Sequence, residues 1–317
     1  MKSGAKKLFW SYNARFAGEP LMDLRYLTDI PSWEWPENAG TLILDALNDR
    51  NAPEEERLVA ADLAGDIVVL GEKLADSLLS IVRSGDEPVD LRATAALSLG
   101  PGLEEADLAD GDDDPCDSPT LSPAFVQKIQ KTFHRLYCDA AVPTYVRRAI
   151  LEASVRNPQS WHADVIRIAY DSNHPDWKLT SVFCMRFIQG FEKQILEALK
   201  SANPDIHYNA VAAAGNWEVD SAWPHIKALV TSADTEKSLR LAAIEAAASI
   251  RPGETDIFET LVDSEDEDIS EAALDALTAA EFAEDMEEGD DEEDDFEDED
   301  EDDLDEEDED DEDGKIN

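Results

Sequence analysis

The sequence predicts an all-helical solenoid (a superhelical stack) of repeated helical hairpins, followed by a disordered, acidic C-terminal tail. Three observations favour this fold class. A ten-residue pattern rich in alanine recurs along the 317-residue chain, a second apolar segment separates successive copies, and the C-terminal segment consists almost entirely of aspartate and glutamate. Hairpins that recur at a regular period stack on their neighbours and share one continuous core, which is the physical basis of a solenoid.

The repeated pattern is clearest in residues 91–100, LRATAALSLG, where an aliphatic and a basic residue precede closely spaced small residues. Two other copies, residues 206–215 and 239–248, are nearly superimposable on it. Alanine at adjacent helical turns lets a second helix approach closely. The seven copies have their second positions at residues 57, 92, 147, 178, 207, 240 and 270.

The spacing of the copies is regular with one exception. Neighbouring copies are 29 to 35 residues apart, but the second and third are separated by 55 residues. An insertion at residues 101–122 explains this gap, and its DGDDDP segment at residues 110–115 indicates an acidic loop. Segments between the copies, such as residues 192–199, have the apolar periodicity of a second helix. Each period therefore predicts one helical hairpin.

These patterns divide the chain into three parts. We expect residues 1–33 to form an N-terminal capping segment, residues 34–281 the repeat array, and residues 282–317 the tail. Between residues 284 and 313, 26 of 30 residues are Asp or Glu. Such a run cannot bury enough apolar surface to offset the entropy of ordering, and its like charges repel one another, so the tail should be disordered.

The charge balance restricts the class of partner. Lys and Arg number 26 against 75 Asp and Glu, a formal net charge of −49. This charge repels nucleic acid and anionic lipid and favours a basic protein partner. The sequence has no apolar stretch long enough to span a membrane, no secretory signal, and no cysteine spacing typical of zinc sites or disulfide frameworks. We therefore expect a cytoplasmic monomer without a cofactor.

Residues 91–100 match almost residue for residue the V-R-x-x-A-A-x-A-L-G signature of short bacterial HEAT-like repeats. Over residues 34–281 the chain resembles HEAT-like repeat proteins of the phycobilisome-lyase type. The resemblance implies an elongated, curved array whose second helices line a concave, ligand-facing side. It implies little about function, because such repeats occur in scaffolds, adaptors and some enzymes.

The sequence lacks the short motifs that most directly indicate an enzyme, namely G-x-S-x-G, G-x-x-x-x-G-K, G-x-G-x-x-G and H-E-x-x-H. It also has no His-Glu dipeptide, which the deoxyhypusine hydroxylases, a HEAT-repeat enzyme class, need in pairs for a di-iron centre. His134 and Cys138 are four residues apart on a predicted helix, and Asp110, Asp112 and Asp114 resemble the start of a calcium loop. Neither set supplies enough ligands for a metal site. We therefore predict that the chain is not an enzyme and binds no metal.

Two tryptophans and a group of cations are the candidate partner-binding residues. Trp161 and Trp223 begin second helices, where they either fill the gap between paired helices or act as exposed anchors. Residues 123–200 carry 11 Lys or Arg and 7 Asp or Glu, a basic island within an acidic chain. The island meets an acidic partner, receives the protein's own tail, or is an ordinary solvated face. Its candidate cations are Arg147, Arg148, Arg156, Arg167, Lys178 and Arg186.

The leading functional hypothesis is a non-catalytic scaffold or adaptor that binds other proteins. The array would offer an extended groove, while the tail would attract basic proteins or regulate the array by competing for the basic island. The alternative is a nucleic-acid enzyme similar to the HEAT-like DNA glycosylases, with Trp161, Trp177 and Asp164 as candidate residues. The net charge and the lack of a basic stripe along the whole array argue against this alternative.

Overall fold

The computed structural model of the protein describes residues 24–109, 120–172 and 174–290. All regular structure in these residues is helical, which confirms the predicted all-helical class. The chain divides into two units, Met1–Arg251 and Pro252–Asn317. No helix within the described residues is long and apolar enough to cross a lipid bilayer.

The described part of the first unit contains fourteen α-helices and two short 3-10 turns, Ser32–Glu34 and Asp220–Ala222. The helices are α1 (Leu24–Leu27), α2 (Ala39–Asn48), α3 (Glu54–Leu63), α4 (Glu72–Arg83), α5 (Val89–Leu97), α6 (Gly100–Ala109), α7 (Pro123–Cys138), α8 (Thr144–Ser154), α9 (His162–Asp171), α10 (Pro175–Cys184), α11 (Glu192–Ala198), α12 (Pro204–Asn216), α13 (Trp223–Thr231) and α14 (Lys237–Ile250).

The helices of this unit form two rows. The first-row helices α3, α5, α8, α10, α12 and α14 contain the repeated pattern, and each packs against the next. The second-row helices α2, α4, α7, α9, α11 and α13 each pack against the first-row helix that follows in the chain. Each second-row helix therefore forms a hairpin with the first-row helix that follows it, and this hairpin spans the boundary between two predicted repeats. The connections to α3, α5 and α8 end at Pro53, Pro88 and Pro143, whose fixed φ and missing N–H suit a position just before a helix.

Glycine at the tenth position of the pattern lets neighbouring first-row helices approach closely. A Cβ atom added to Gly65 would lie 2.9 Å from the Cα atom of Ser98, which ends α5. A Cβ atom on Gly215 would lie 2.7 Å from the Cα atom of Ala246 in α14. Because backbone atoms cannot move aside without separating the helices, these two contacts require glycine.

The basic residue at the second position of the pattern caps the C-terminal end of the second-row helix that precedes it. In three repeats its Nε donates to the main-chain carbonyl of the residue ten positions earlier. These pairs are Arg57 to Leu47, Arg92 to Val82 and Arg240 to Val230, at 3.2, 3.1 and 2.9 Å. Each carbonyl lies in the last turn of a second-row helix, where carbonyl groups lack partners within the helix and the helix dipole favours a cation. The signature arginine is therefore structural in these three repeats.

The insertion at residues 101–122 begins as a helix, so the loop prediction is wrong for its first part. Helix α6 extends to Ala109, while residues 110–119 lie outside the described residues. Leu103 and Leu121 are fully buried on either side of that gap. Burial of these two side chains explains why part of the insertion packs on the array although its centre is strongly acidic.

The two ends of the chain are described only in part. Residues 24–33 of the predicted N-terminal cap contain α1, whose Leu24 and Leu27 are buried. The second unit contains α15 (Asp256–Glu259) and α16 (Glu267–Asp290), which pack against each other. Helix α16 continues past the predicted end of the array at residue 281, through residues that include good helix formers such as Glu and Met. The tail predicted to be disordered otherwise lies outside the described residues.

Candidate functional site

A groove opens where the inserted helix α6 meets α7 and the connection between α8 and α9. Its volume is about 580 Å³, within the range of clefts that bind ligands. Its lining combines apolar side chains with amide and aromatic side chains. The described residues that line this α7 groove are Ala106, Ala109, Leu121, Pro123, Val126, Gln127, Gln130, Lys131, His134, Asn157, Gln159 and Trp161.

Gln130 lies at the floor of the α7 groove and is 5% exposed. Its Nε2 donates to the main-chain carbonyls of Ser154 and Asn157, at 3.0 and 2.9 Å. The residue therefore binds the carbonyl of the last residue of α8 and a carbonyl in the connection that follows this helix. Its amide oxygen Oε1 is buried and accepts no hydrogen bond from any described residue. A rotated amide would place this oxygen against two carbonyl oxygens, so the surroundings determine its orientation.

Hydrogen bonds hold the connection between α8 and α9 as a fixed wall of the groove. The main-chain N–H of Gln159 donates to Nδ1 of His162 at 2.8 Å, so the ring proton lies on Nε2, 3.0 Å from the hydroxyl oxygen of Ser154. Burial, with a smaller contribution from a neighbouring histidine, lowers the pKa of His162 to about 3 and keeps the ring neutral near pH 7. Asn157 Nδ2 donates to Asp107 of α6 at 3.0 Å.

An aromatic cluster extends from the α7 groove towards α10. The ring of Trp161 stacks on His134 with 4.8 Å between ring centres, and it lies 5.3 Å from the ring of Tyr137. Tyr137 meets Trp177 edge-on at 6.1 Å, and the guanidinium of Arg147 lies 6.0 Å from the Trp177 ring centre. Burial raises the pKa of Tyr137 to about 12, so its phenol is neutral near pH 7. The cluster is partly exposed and continuous with the groove.

The structure separates the two tryptophans that were predicted as partner anchors. Trp161 is partly exposed and lines the α7 groove. Trp223 begins α13 and is only 7% exposed, with Lys227 and Arg251 over its ring at 5.4 and 5.3 Å. Of the two alternatives for Trp223, the burial of its indole supports the filling of the gap between paired helices over an exposed anchor, since burial of a large apolar ring stabilises the fold.

Four of the six cations in the predicted basic island are engaged within the chain. The pairs are Arg148 with Asp176 at 3.4 Å, Arg156 with Glu104, Arg167 with Asp164 at 3.2 Å, and Lys178 with Glu197 at 3.6 Å. Three of these four carboxylates lie within residues 123–200 and already belong to the charge balance of the island. Because these pairs are partly exposed, the binding of a partner by Arg148, Arg167 and Lys178 stays a prediction.

The two other cations of the island, Arg147 and Arg186, form no ion pair with the described residues. Each is half-buried, and the Nε of each lacks a hydrogen-bond partner there. Arg186 lies over Phe183 and Phe187, with its guanidinium 5.7 Å from each ring centre. Of the predicted cations, Arg147 is the one that extends the aromatic cluster beside the α7 groove.

The predicted ligand pairs do not assemble into a metal centre in the part of the chain that the structure describes. There, no group of three His, Cys, Asp or Glu side chains could hold a metal ion. His134 is instead stacked on Trp161, and Cys138 is an exposed free thiol. The acidic triplet that resembles a calcium loop lies outside the described residues.

Sequence reasoning did not identify Gln130, Asn157 or Gln159 as site residues. A glutamine or asparagine in an amphipathic pattern carries no signal of its own, since these residues are common on exposed helix faces. The available signal was the interruption of the repeat period at residues 101–122, because the inserted helix builds one wall of the groove.

The rows of stacked helical hairpins define a HEAT-like helical-repeat protein. No protein-family model matches the sequence, and neither does any curated protein. Human deoxyhypusine hydroxylase in complex with glycerol is similar in structure, at 15% identity and a TM-score of 0.36, over 82% of this chain and 88% of that chain. Escherichia coli YibA is similar at 13% identity and a TM-score of 0.40, over 84% of this chain and 99% of that chain. These likenesses concern the fold alone.

The comparison corrects the prediction that the chain is not an enzyme. One of the structures with this helical-repeat fold is an enzyme. The absence of familiar catalytic motifs from the sequence does not by itself exclude catalysis, because one fold can carry many functions.

Proposed function

We propose that the protein binds another protein through the α7 groove and the aromatic cluster beside it. The observation that supports this best is the groove itself, a cleft of about 580 Å³ whose lining combines apolar and amide side chains with the aromatic ring of Trp161. Protein interfaces concentrate binding energy in a few aromatic residues placed at such clefts.

The rigidity of the groove also supports this proposal. Gln130 is held by two carbonyl groups, and the connection between α8 and α9 is held by hydrogen bonds that include His162. A wall that is already ordered loses little conformational entropy when a partner binds, so more of the contact energy appears as affinity.

Three finer expectations belong to the same proposal. The pattern at residues 91–100 supports repeats of the phycobilisome-lyase type. The net charge of −49 supports a basic partner, and the free thiols of Cys138 and Cys184 support a reducing, cytoplasmic location. The ion pairs of Arg148 and Arg167 offer no support for the nucleic-acid alternative.

Site-specific photo-crosslinking tests the proposal. A photoreactive amino acid at Gln127, an exposed residue of the groove, should cross-link a protein in extracts of the native cell, whereas the same group at the exposed Glu245 of α14 should not. The captured protein, once purified, should bind the full-length chain. Trp161→Ala should weaken that binding by about tenfold or more. Trp33→Ala is the matched control, because Trp33 is 79% exposed and does not line the groove.

Equal cross-linking from Gln127 and Glu245, or equal affinity of the Trp161→Ala and wild-type proteins, would contradict the proposal. Circular dichroism of the Trp161→Ala variant verifies that the helices remain folded. A loss of affinity in the Trp33→Ala variant would likewise place the binding surface elsewhere.

A further inference from the structure

Three arginines lie at the C-terminal ends of first-row helices. Arg156 and Arg186 directly follow the C-cap residues of α8 and α10, and Arg251 is the C-cap residue of α14. Arg156 donates to Glu104 of α6, the helix that follows α5. Arg251 donates to Asp220, in the stretch that follows α12, through two bonds of 3.0 and 2.9 Å. In both cases the arginine binds a carboxylate that follows the preceding first-row helix.

Arg186 has no carboxylate at the corresponding place. The stretch that follows α8, residues 155–161, is VRNPQSW and contains no Asp or Glu. Arg186 forms no ion pair and no side-chain hydrogen bond with the described residues. Its Nε is buried, but its Nη1 and Nη2 are not. The guanidinium therefore presents a fork of N–H donors that matches the two oxygens of a carboxylate.

Two phenyl rings hold the Arg186 side chain in position. Its guanidinium carbon lies 5.7 Å from the ring centres of both Phe183 and Phe187. The guanidinium of Arg156 lies over the same two rings, at 5.6 and 5.2 Å. The main-chain carbonyl of Arg186 accepts a hydrogen bond from Asn216 at 2.9 Å. A guanidinium that is already stacked has less rotamer freedom to lose when a ligand binds.

A second cleft, of about 440 Å³, opens beside Arg186. The described residues that line it are Gln189, Gly190, Phe191, Glu192, Ile195 and Trp217. Trp217 links this cleft to Arg186, because its indole N–H donates to the carbonyl of the neighbouring Met185 at 2.7 Å. The carboxylate of Glu192 would repel an acidic group here, while Phe191 and Ile195 suit an apolar one. The cleft therefore fits an apolar side chain that neighbours an acid, and the acid itself fits Arg186.

We infer that Nη1 and Nη2 of Arg186 bind an Asp or Glu carboxylate of another protein, with a neighbouring apolar side chain of that protein in the cleft lined by Trp217. A carboxylate fits better than a phosphoryl group, because one guanidinium compensates one negative charge and a phosphoryl group carries nearly two. The net charge of −49 favours a segment with a single acid over an acidic run. Phe183, Arg186 and Phe187 do not line the α7 groove, so this surface is separate from it.

Peptide binding to the full-length protein tests this inference. N-acetylated, C-amidated octapeptides with one central Glu among uncharged residues are screened, and the best binder is remade with Gln or phosphoserine in place of that Glu. The Gln peptide should bind about tenfold more weakly, because the charge-assisted hydrogen bonds are lost. The phosphoserine peptide should bind no more tightly than the Glu peptide. NaCl should weaken the Glu peptide more than the Gln peptide.

Substitutions in the protein assign the carboxylate to Arg186. Arg186→Met should weaken the Glu peptide by about tenfold but the Gln peptide by less than about twofold. Arg83→Met is the matched control, since Arg83 is an exposed arginine of α4, and it should bind both peptides as the wild type does. Arg186→Lys keeps the charge without the fork and should fall between wild type and Arg186→Met. If Arg186→Met does not fold, the Lys variant and the peptide comparison decide the question.

A gain of affinity is expected when the neighbouring ion pair is removed. Glu104→Gln leaves Arg156 without its carboxylate over the same two rings, so the Glu peptide should bind about threefold more tightly. Trp161→Ala should leave the affinity of the Glu peptide unchanged, because Trp161 belongs to the α7 groove. This result separates the inference from the proposed function.

Acids outside the described residues are tested with one further variant. It lacks residues 291–317 and carries Asn at Asp110, Asp112, Asp113 and Asp114. Binding of the Glu peptide by this variant alone would mean that the chain's own acids occupy Arg186, and it would overturn the inference. Failure of every Glu peptide to bind, equal affinity for the Glu and Gln peptides, or equal affinity of wild type and Arg186→Met for the Glu peptide would also overturn it. A phosphoserine peptide that binds about tenfold more tightly would replace the carboxylate by a phosphoryl group, with the same consequence.

Discussion

The buried ion pair between Arg57 and Glu87 provides a quantitative test of how successive repeats are joined. Arg57 Nη1 and Nη2 donate to the two carboxylate oxygens of Glu87 at 2.6 and 3.1 Å, and its Nε donates to the carbonyl of Leu47. The two side chains are only 8% and 9% exposed. This ion pair links α3 to the connection between α4 and α5. The same arginine caps the C-terminal end of α2.

The structure predicts different losses for two arginines at the same position of the pattern. Arg57→Met leaves the Glu87 carboxylate buried without its partner, so we expect the free energy of unfolding to fall by about 3–5 kcal/mol. Arg92→Met removes one bond to Val82, but it also removes a buried cation whose pKa is lowered by burial. Its net loss should be about 1–2 kcal/mol, because relief of the buried charge offsets part of the lost hydrogen bond.

Urea unfolding of the full-length variants, followed by circular dichroism at pH 7 and pH 3, measures both losses. The hydrogen bond from Arg57 holds the pKa of Glu87 below its usual value of 4.5. The stabilisation is therefore complete above about pH 4.5 and is lost as the pH falls through the lower, folded-state pKa. The difference between wild type and Arg57→Met should accordingly shrink in acid.

Two results would refute this reasoning. Equal losses in the free energy of unfolding for Arg57→Met and Arg92→Met at pH 7 would mean that the Glu87 carboxylate adds no stability beyond the arginine–carbonyl hydrogen bond that each position makes. A penalty for Arg57→Met that stays constant between pH 7 and pH 3 would mean that Glu87 is not the group responsible. Glu87→Gln alone and the double variant complete a cycle that isolates the pair energy.

Three further predictions concern packing, pH and thiol access. Gly215→Ala should lower the free energy of unfolding by about 1–3 kcal/mol because its methyl group meets the backbone of α14, while Gly85→Ala, with open space around it, should change it by less than about 0.5 kcal/mol in urea unfolding. The native state should lose stability as the pH falls below 6.5, because His162, with its pKa lowered to about 3, stays neutral when folded and binds a proton when unfolded; His162→Asn should flatten this part of the thermal-unfolding profile. A maleimide should label exposed Cys138 in the native protein, but buried Cys184, whose pKa is raised by burial, only after unfolding, as read by peptide mass spectrometry. Equal glycine effects, an unchanged pH profile in His162→Asn, or equal labelling would each contradict the corresponding assignment.

The sequence by itself determined the helical class and the repeat. Alanines at adjacent turns, and in three of the seven copies a glycine at the tenth position, as in residues 91–100, indicate a requirement for close helix contact. Close helix contact of this kind can be predicted from the sequence alone, because small residues recur at a regular period along the chain. The role of the second-position arginine could not be predicted from the sequence, because its hydrogen-bond acceptor is a main-chain carbonyl, and every residue has one.

Only the tertiary structure decided the site. It placed Trp161 at a groove and buried Trp223, although both begin second helices and look alike in sequence. It also paired four of the six candidate cations of the basic island with carboxylates, among them Arg156 with Glu104 of the inserted helix. It brought Gln130 against the end of α8, where its Nε2 donates to two main-chain carbonyls. Burial and hydrogen-bond partners depend on segments that are distant in sequence, so composition and spacing indicated the repeat but not the groove within it.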